Sequence, residues 1–400
     1  MMTESTTDKH AMKRSITLLI VAEIAAMSLW FVSAAILPDM SRETNLSDGV
    51  KAAMSAAVQG GFVIGALVSA VLGLADRFDP RHVLALFAVL AAVANALMLV
   101  ATPGVEFVVL RGLTGAFLAG VYPVGMKIAV GWSQRSRGLL VGLLVGGLTL
   151  GSAAPHLLSF LGGADWRVTV AVASVLSVLG ALLVLKTENG PFHSSQSKFD
   201  AKVLTEAWTN QSIRRAYGGY LGHMWELYAM WAWISVALAV SFTHQMPQAE
   251  AQDLAKITTF VVIGLGAISC PLAGLVADRI GKAELTIVAM AISGLSAILF
   301  ALTFGGAIWL TIAIAILWGI FIIPDSAQFS ALVADHAPAE KAGSLMTFQT
   351  ALGFTLTTIT VQLTPLIVAK IGWPLLMASL ALGPAFGIYS MWQLRRNYQP

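Results

Sequence analysis

The sequence GLADRFDPRHVL at residues 73–84 returns in altered form as GLVADRIGKAEL at residues 274–285. Each copy is short and charged, and each lies between two long apolar runs. A unit that returns after about 200 residues is the sign of an internal repeat. The pair therefore predicts that the chain consists of two similar halves.

Two further features keep the same spacing. Pro123 in the fourth apolar run corresponds to Pro324 in the tenth, and GADWR at 163–167 corresponds to KIGWP at 370–374. A repeat in one orientation predicts two bundles related by an axis along the membrane normal, an architecture typical of transporters. The two prolines interrupt helical hydrogen bonds at equivalent places, so we expect both helices to bend there.

Composition identifies the environment in which the halves fold. Of 400 residues, 57% are hydrophobic and 11% are charged, and the mean hydropathy is +0.78. These values predict an all-α polytopic membrane protein. Twelve apolar runs are long enough to cross a hydrocarbon core of about 30 Å. They cover residues 15–37, 50–74, 82–101, 105–131, 138–161, 167–186, 216–241, 257–276, 283–304, 307–333, 344–368 and 374–393.

The longest polar interval, 186–215, divides the twelve runs into six and six. The predicted organisation is an N-terminal tail (1–14), a six-helix bundle (15–186), a linker (187–215), a second six-helix bundle (216–393) and a C-terminal tail (394–400). A short surface helix is expected around 201–208 in the linker. The first run is interpreted as a retained helix rather than a signal peptide, because no convincing cleavage site follows it.

Lysine and arginine predict the orientation. With a cytoplasmic N-terminus, seventeen of them fall in cytoplasmic tails and loops. Five fall on the other side, namely Arg42, Lys51, Arg167, Lys256 and Lys370. By the positive-inside rule both termini are expected in the cytoplasm, and the protein in the cytoplasmic (inner) membrane.

Ionisable residues inside the runs are the main guide to function, since each is costly in a bilayer. They concentrate on runs 1, 4, 7 and 10, the equivalent first and fourth helices of each half. These residues are Glu23, Arg111, Lys127, His223, Glu226 and Asp325, and His156 in run 5 lies at comparable depth. We therefore expect the four helices to line a shared aqueous cavity.

Proton coupling requires a group whose protonation changes between two states. Glu226 is the first choice, Asp325 the second and Glu23 the third. His223, on the same helix face as Glu226, could share the proton. The alternatives are a structural pairing or hydrogen bond of Glu226 within the bundle, and a neutral His223 that satisfies a local hydrogen bond.

Two cations and several aromatic residues are candidates for binding a solute. Arg111 and Lys127 could bind an anion, although both could instead snorkel to an interface or pair with a carboxylate. Trp233 and Tyr228 could stack on the solute, although aromatic residues also pack membrane helices. These four residues form the predicted substrate-binding set.

The charged loop at 73–81, GLADRFDPR, resembles the loop signature of the major facilitator superfamily between its second and third helices. The likeness covers essentially the whole chain, with twelve spans, a central linker and a second copy of the loop. It departs from the pattern at Asp79–Pro80. The resemblance implies a latch between conformations, whose residues here are Gly73, Asp76, Arg77, Arg81, Gly274, Asp278, Arg279 and Lys282. The alternative is that the arginines act only as topology signals.

Two further stretches resemble signatures of that superfamily. RGLTGAFLAG at 111–120 is similar to the fourth-helix signature of proton-coupled members, which implies a coupling role for Arg111. The fifth run, GLLVGGLTLGSAAPHLL at 141–158, resembles an antiporter signature but has Ala154–Pro155 in place of Gly-Pro, so the direction of transport stays open. For its glycines, close helix packing is the favoured role.

The sequence contains no nucleotide-binding GxxxxGK[ST] motif and no metal-spaced cluster, and its single cysteine is Cys270. No enzyme activity, cofactor, metal or nucleic acid is therefore expected, and the protein is expected to be monomeric. The predicted function is proton-coupled secondary active transport of a small polar or anionic solute by alternating access. The alternatives are a proton-driven efflux antiporter for drugs or amphipathic metabolites and, from another class, a membrane sensor or scaffold.

Overall fold

A computed structural model describes residues 6–133, 137–163, 165–192, 203–338 and 341–396. Parts of the predicted tails and linker lie outside these ranges. Regular structure within them is helical throughout. Eleven helical stretches there are long and apolar enough to cross a membrane. The last, Ala342–Arg396, holds two spans because Gly372 has φ 78° and turns the chain, so the predicted twelve spans are present.

We number the spans TM1 to TM12 in chain order. The first half contains TM1 (Thr6–Met27 and Val32–Glu43), TM2 (Asp48–Leu72), TM3 (Pro80–Ala96), TM4 (Val105–Leu118 and Tyr122–Val130), TM5 (Arg137–Leu161) and TM6 (Trp166–Val184). The second half contains TM7 (Gln211–Phe242), TM8 (Gln248–Gly264 and Gly266–Ile280), TM9 (Lys282–Thr303) and TM10 (Ile308–Phe321 and Ser326–His336). The helix Ala342–Ser379 forms TM11 and the start of TM12, and Leu382–Arg396 completes TM12.

Three of the four helices in which the sequence predicts a concentration of buried charge are interrupted near their middle. TM1 breaks at 28–31, TM4 at 119–121 and TM10 at 322–325, whereas TM7 is one continuous helix. The breaks in TM4 and TM10 lie beside Pro123 and Pro324, where the sequence predicts bending. Each break leaves backbone groups without helical partners, and these groups need other hydrogen bonds in a dry interior.

The two halves meet along small residues. On TM5, Gly146 lies so close to TM8 that a Cβ at this position would be 2.8 Å from the Ala267 carbonyl oxygen. A Cβ at Gly142 would be 3.2 Å from Pro271 Cα on the same helix. In a membrane such close approach supplies the packing that hydrophobicity cannot. Gly142 and Gly146 therefore provide close helix packing, the role predicted for the glycines of the fifth run.

Two spans extend further than the sequence indicates. TM1 reaches Glu43, because Pro38 lies inside a helix rather than at its end, and TM8 begins at Gln248. Lys256, predicted to lie in an exposed loop, is instead buried within TM8. Asp39 of TM1 is also buried and provides its counterion, which is what makes burial of the lysine tolerable.

An even number of spans puts Thr6 and Arg396 on one side of the molecule, which we call the terminal face, and we call the opposite side the distal face. The linker contains a helix, Val203–Thr209, where a short helix is predicted. The first residues of the linker run along the terminal face of the first half, where Arg81 Nη1 donates to the Thr187 carbonyl at 2.9 Å. Phe192 N donates to the Gly131 carbonyl at 2.9 Å.

Candidate transport site

His223 of TM7 and Asp325 of TM10 form a buried pair. His223 Nδ1 lies 2.9 Å from Asp325 Oδ1, and each side chain is 1% exposed. The two atoms are at ion-pair distance without the alignment of a hydrogen bond, and His223 Nε2 has no partner among the described residues. The Phe329 ring lies 5.6 Å from the imidazole. Two titratable groups therefore share one dry site at the break of TM10.

Glu226 lies one turn further along TM7 and is satisfied by neutral donors. Ser293 Oγ of TM9 donates to its Oε2 at 2.9 Å, and Trp318 Nε1 of TM10 donates to its Oε1 at 2.8 Å. All three side chains are buried within the second half. This arrangement ties together three helices of that half.

Glu23 of TM1 occupies a different environment. It is 1% exposed, and neither carboxylate oxygen has a hydrogen-bond partner among the described residues. Gly125 of TM4 makes room for it, since a Cβ at position 125 would be 3.2 Å from Glu23 Oε2. A buried carboxylate without a partner is costly unless it binds a proton.

Arg111 of TM4 is fully buried and is held by the break in TM1. Its Nη2 donates to the carbonyls of Leu29 and Trp30, each at 2.7 Å, and its Nη1 donates to Asn95 Oδ1 at 2.7 Å. Asn95 in turn donates to Ser174 Oγ at 2.9 Å. The guanidinium therefore satisfies carbonyl groups that the interruption of TM1 leaves without helical partners.

Lys127 of TM4 is half-buried, one turn beyond the exposed Pro123. The two predicted substrate-binding cations thus differ. Arg111 is enclosed by backbone and amide acceptors of the first half, whereas Lys127 keeps part of its surface accessible.

Six aromatic side chains meet between the halves, and we call them the aromatic cluster. Their ring centroids lie 4.6 Å apart for Phe62 and Phe354, 4.9 Å for Trp30 and Phe62, and 5.0 Å for Tyr228 and Phe354. The members are Trp30, Phe31 and Phe62 of the first half and Tyr228, Trp231 and Phe354 of the second. Tyr228, a predicted substrate-binding residue, therefore lies on the boundary between the two halves.

A cleft of about 920 Å³ lies above the cluster, toward the distal face. Trp233, the other predicted aromatic residue, lines it, and its Nε1 donates to the Val361 carbonyl at 3.1 Å. Trp373, Arg42 and Lys51 also line this cleft. The cleft includes surfaces of TM1 and TM2 from the first half and of TM7, TM8 and TM11 from the second.

The boundary is also closed by an ion pair that sequence reasoning missed. Lys256 Nζ of TM8 lies 2.7 Å from Asp39 Oδ2 of TM1, and both side chains are 2% exposed. Ser159 Oγ of TM5 donates to the same oxygen at 3.4 Å. Arg42 donates to Gln252 across the same boundary. The sequence offers one signal for this pair. Asp39 lies just after the predicted end of the first run, and Lys256 lies just before the predicted start of the eighth.

The residues of the predicted latch lie on the terminal face. Gly73 has φ 60° and turns the chain after TM2, while Arg77, Asp278 and Arg279 are exposed and Gly274 is half-buried in TM8. The side chain of Asp76 lies outside the described residues. Lys282 Nζ pairs with Asp335 Oδ2 at 2.5 Å, joining the second loop to the end of TM10.

In the first loop, Arg81 pairs with Asp79 at 2.5 Å, and Asn189 Nδ2 donates to Asp79 Oδ1 at 3.3 Å. These hydrogen bonds hold the pKa of Asp79 well below its usual value. Among the described residues, no group of three or more histidine, cysteine or acidic side chains could hold a metal ion.

Residues 18–356 match the family profile of the Major Facilitator Superfamily. An uncharacterized transporter of Saccharomyces cerevisiae, ESBP6, is 23% identical over 193 residues, which are 44% of this chain and 27% of that protein. The match therefore spans about a quarter of the yeast protein's length.

Two solved structures share the fold. The xylose transporter XylE from E. coli, in a partially occluded inward open conformation, superposes with a TM-score of 0.71 at 12% identity, over 98% of this chain and 100% of that one. A mutant form of the nucleoside transporter NupG gives 0.69 at 14% identity, over 96% and 100%. The family profile covers most of the chain, and the two structural matches extend over both halves. The chain is a membrane transporter rather than an enzyme, and it belongs to the Major Facilitator Superfamily.

Proposed function

We propose that this protein couples the movement of a small polar or anionic solute to protons, by alternating access of its two halves in the cytoplasmic membrane. The observation that carries the proposal is the His223–Asp325 pair. Its two titratable groups lie 2.9 Å apart in a buried site at the break of TM10. A pair of this kind changes its charge by one when it takes up or releases a proton.

The geometry changes the order in which we expect the acids to matter. Asp325 and Glu23 come first. Asp325 has a titratable partner in His223, and Glu23 has no hydrogen-bond partner among the described residues. Glu226 comes third, since two neutral donors already hold both of its oxygens inside the second half. Its replacement by glutamine should therefore affect stability more than coupling.

The inference that the solute is anionic depends mainly on Lys127, because the Nη1 and Nη2 groups of Arg111 donate to Asn95 and to the carbonyls of TM1. Lys127 lies half-buried on TM4 beside the break, on the helix that also contacts Glu23 through Gly125. The excess of lysine and arginine on the terminal face supports a cytoplasmic location for both termini. We also propose that the protein acts as a monomer.

Efflux of amphipathic metabolites in exchange for protons is the second candidate. The aromatic cluster favours it, since six rings on the boundary between the halves suit an apolar or flat solute better than a sugar. The two candidates differ in the class of solute and in the direction of proton movement relative to the solute.

The test uses the purified protein in proteoliposomes with a pH-sensitive dye trapped inside. A panel of carboxylates, sugars, nucleosides and amphipathic aromatic compounds is added outside. Acidification of the interior on solute entry indicates symport, and alkalinisation indicates exchange. Solute uptake that moves no protons and is unchanged by a pH gradient would refute the proposal.

Matched variants identify the proton carriers. We expect Asp325→Asn and Glu23→Gln each to reduce proton movement by roughly tenfold or more, equivalent to at least about 1.4 kcal/mol in the barrier. Asp165→Asn and Glu250→Gln make the same chemical changes at exposed positions and should leave it unchanged. If Glu226→Gln abolishes coupling while Asp325→Asn does not, the order of the acids expected from the sequence is restored.

A further inference from the structure

The aromatic cluster lies where the path of a solute has to pass. Trp30, Phe31 and Phe62 come from the first half, and Tyr228, Trp231 and Phe354 come from the second. Alternating access separates the two halves on one face at a time. The rings of one half therefore lose their partners from the other half in at least one state of the cycle.

The cluster is also connected to an entrance. Trp233 lines the distal cleft and follows Tyr228 on TM7 by about 7.5 Å of helix rise, and Leu37 lines it about 10 Å beyond Trp30 on TM1. The rings thus lie beneath the floor of a cleft of about 920 Å³. A solute that enters from the distal face therefore reaches the rings after it has passed through the cleft.

Polar atoms without partners accompany the rings. Trp30 Nε1 and Trp231 Nε1 are buried donors, and Gln59 Oε1, one turn before Phe62 on TM2, is a buried acceptor. None of the three has a hydrogen-bond partner among the described residues. Phenylalanine or leucine would serve better than tryptophan if these side chains only filled space, because an unpaired indole N–H is costly when buried.

We propose that the aromatic cluster is the substrate subsite for a planar aromatic ring that carries hydrogen-bonding atoms at its edge. This inference rests on the proposed function, since it names the class of solute that moves between the halves. When the halves separate, the ring of the solute takes the place of the rings of the opposite half. Its edge pairs with Trp30 Nε1 and Gln59 Oε1, which have no partner among the described residues in the closed arrangement.

Two probes of matched size test the proposal. Indole-3-acetate and octahydroindene-1-acetate each carry one carboxylate on a methylene group and a fused pair of six- and five-membered rings, but only the first is flat and aromatic. Binding to the full-length protein is measured by calorimetry at one fixed pH. We expect the wild type to prefer indole-3-acetate by at least about fivefold in Kd, the size expected of one or two stacked ring pairs.

Variants assign the preference to the cluster. Trp30→Leu should reduce it to less than about twofold, and Trp30→Phe should retain the part that depends on stacking. Phe107→Leu is the control, because Phe107 is equally buried but packs on Trp166 inside the first half. It should leave the preference unchanged. If Trp30→Leu does not fold, Phe354→Leu is used in the same test with the same expectation.

The proposal is overturned if the wild type binds neither probe, binds both equally, or keeps its preference when Trp30 is replaced by leucine. These outcomes are distinct from failure of the proposed function, because calorimetry at fixed pH involves no proton gradient. A protein that binds the indole probe and moves no protons would refute the coupling and support the subsite.

Discussion

At the scale of single residues, the pair Asp39–Lys256 has the clearest energetic consequence. Both side chains are 2% exposed and their charged atoms are 2.7 Å apart. Desolvation makes such a pair a weak contributor overall, but removal of one partner leaves the other charge buried and alone. The pair connects TM1 to TM8, so its loss acts on the contact between the halves.

We expect Asp39→Asn to destabilise the protein by about 3–5 kcal/mol, the cost of leaving a buried charge without its partner. The exchanged pair Asp39→Lys with Lys256→Asp should recover most of this loss. Scanning fluorimetry of the purified protein in detergent measures both as shifts in Tm.

Asp253→Asn is the control for this prediction. Asp253 lies 3.9 Å from Lys256 but its side chain is 58% exposed, so its replacement should change Tm little. A Tm for Asp39→Asn that equals that of the wild type would show that Lys256 finds another acceptor.

Individual contacts could be predicted from the sequence only in part. His223, Glu226 and Asp325 stand out as charges inside apolar runs, and the fold brings His223 and Asp325 together. Their neutral partners could not be found in this way, because Ser293 and Trp318 are ordinary residues of membrane helices. The sequence pattern puts Lys256 in a loop, because nothing near it in sequence indicates a counterion 217 residues away.

At the scale of helices, the contact of TM5 with TM8 depends on the absence of a side chain at Gly146. A Cβ there would be 2.8 Å from the backbone oxygen of Ala267, and backbone cannot move aside as a side chain can. At the neighbouring Gly147, a Cβ would be 3.5 Å from Ile20 Cγ2, an ordinary contact.

Gly146→Ala should therefore push TM5 and TM8 apart and cost about 1–3 kcal/mol, as overpacking does in other tightly packed interiors. Gly147→Ala should be nearly neutral, since the same methyl group fits there. Thermal unfolding in detergent compares the two. Equal Tm values would mean that the helices shift without loss and that the close approach is not required.

Asp79 connects the loop after TM2 to the start of the linker through Arg81 and Asn189. Its pKa is lowered by the hydrogen bonds from Arg81, so the ionised form stabilises the folded state at pH values above the unfolded pKa of about 3.9. This stabilisation is lost as the pH falls from about 4 through the folded pKa.

We expect Asp79→Asn to lower stability by about 1 kcal/mol at pH 7, the usual size for a partly exposed charged hydrogen bond. The difference from the wild type should shrink progressively below about pH 4, because the wild-type carboxylate then becomes protonated as well. Tm measured from pH 7 to pH 3 checks this. A difference that stays constant with pH would exclude the ionised carboxylate as its cause.

The elements themselves were largely predictable. Hydropathy gives the twelve spans, and Pro123 and Pro324 locate the breaks in TM4 and TM10. The break in TM1 at 28–31 carries no proline or glycine. It is stabilised from outside the helix by Arg111, and a tertiary contact of this kind leaves no local mark in the sequence.

At the scale of the whole molecule, the distal boundary between the halves is closed at two places. The Asp39–Lys256 pair closes it between TM1 and TM8, and the aromatic cluster closes it among TM1, TM2, TM7 and TM11. In the proposed alternating access the two halves move as units, so weakening one place should favour opening of the other. Opening on the distal face should accompany closing on the terminal face.

Cysteine labelling tests this reciprocity. Ser235 of TM7 is 2% exposed and shares a helix face with Tyr228 and Trp231, while Met126 of TM4 is half-buried next to Lys127. Ser235→Cys and Met126→Cys are introduced separately into a Cys270→Ala background, which removes the one native thiol. The rate of maleimide labelling is then measured with and without Asp39→Asn.

We expect Asp39→Asn to raise the labelling rate at position 235 and to lower it at position 126. A population shift of about 1.4 kcal/mol changes the ratio of the two populations by about tenfold, so the ratio of the labelling rate at position 235 to that at position 126 should rise by about tenfold. Asp253→Asn, at its exposed site beside Lys256, should change neither rate. If the rates at both positions rise together, Asp39→Asn loosens the whole protein, and the ion pair is then a structural contact rather than part of the closed distal state.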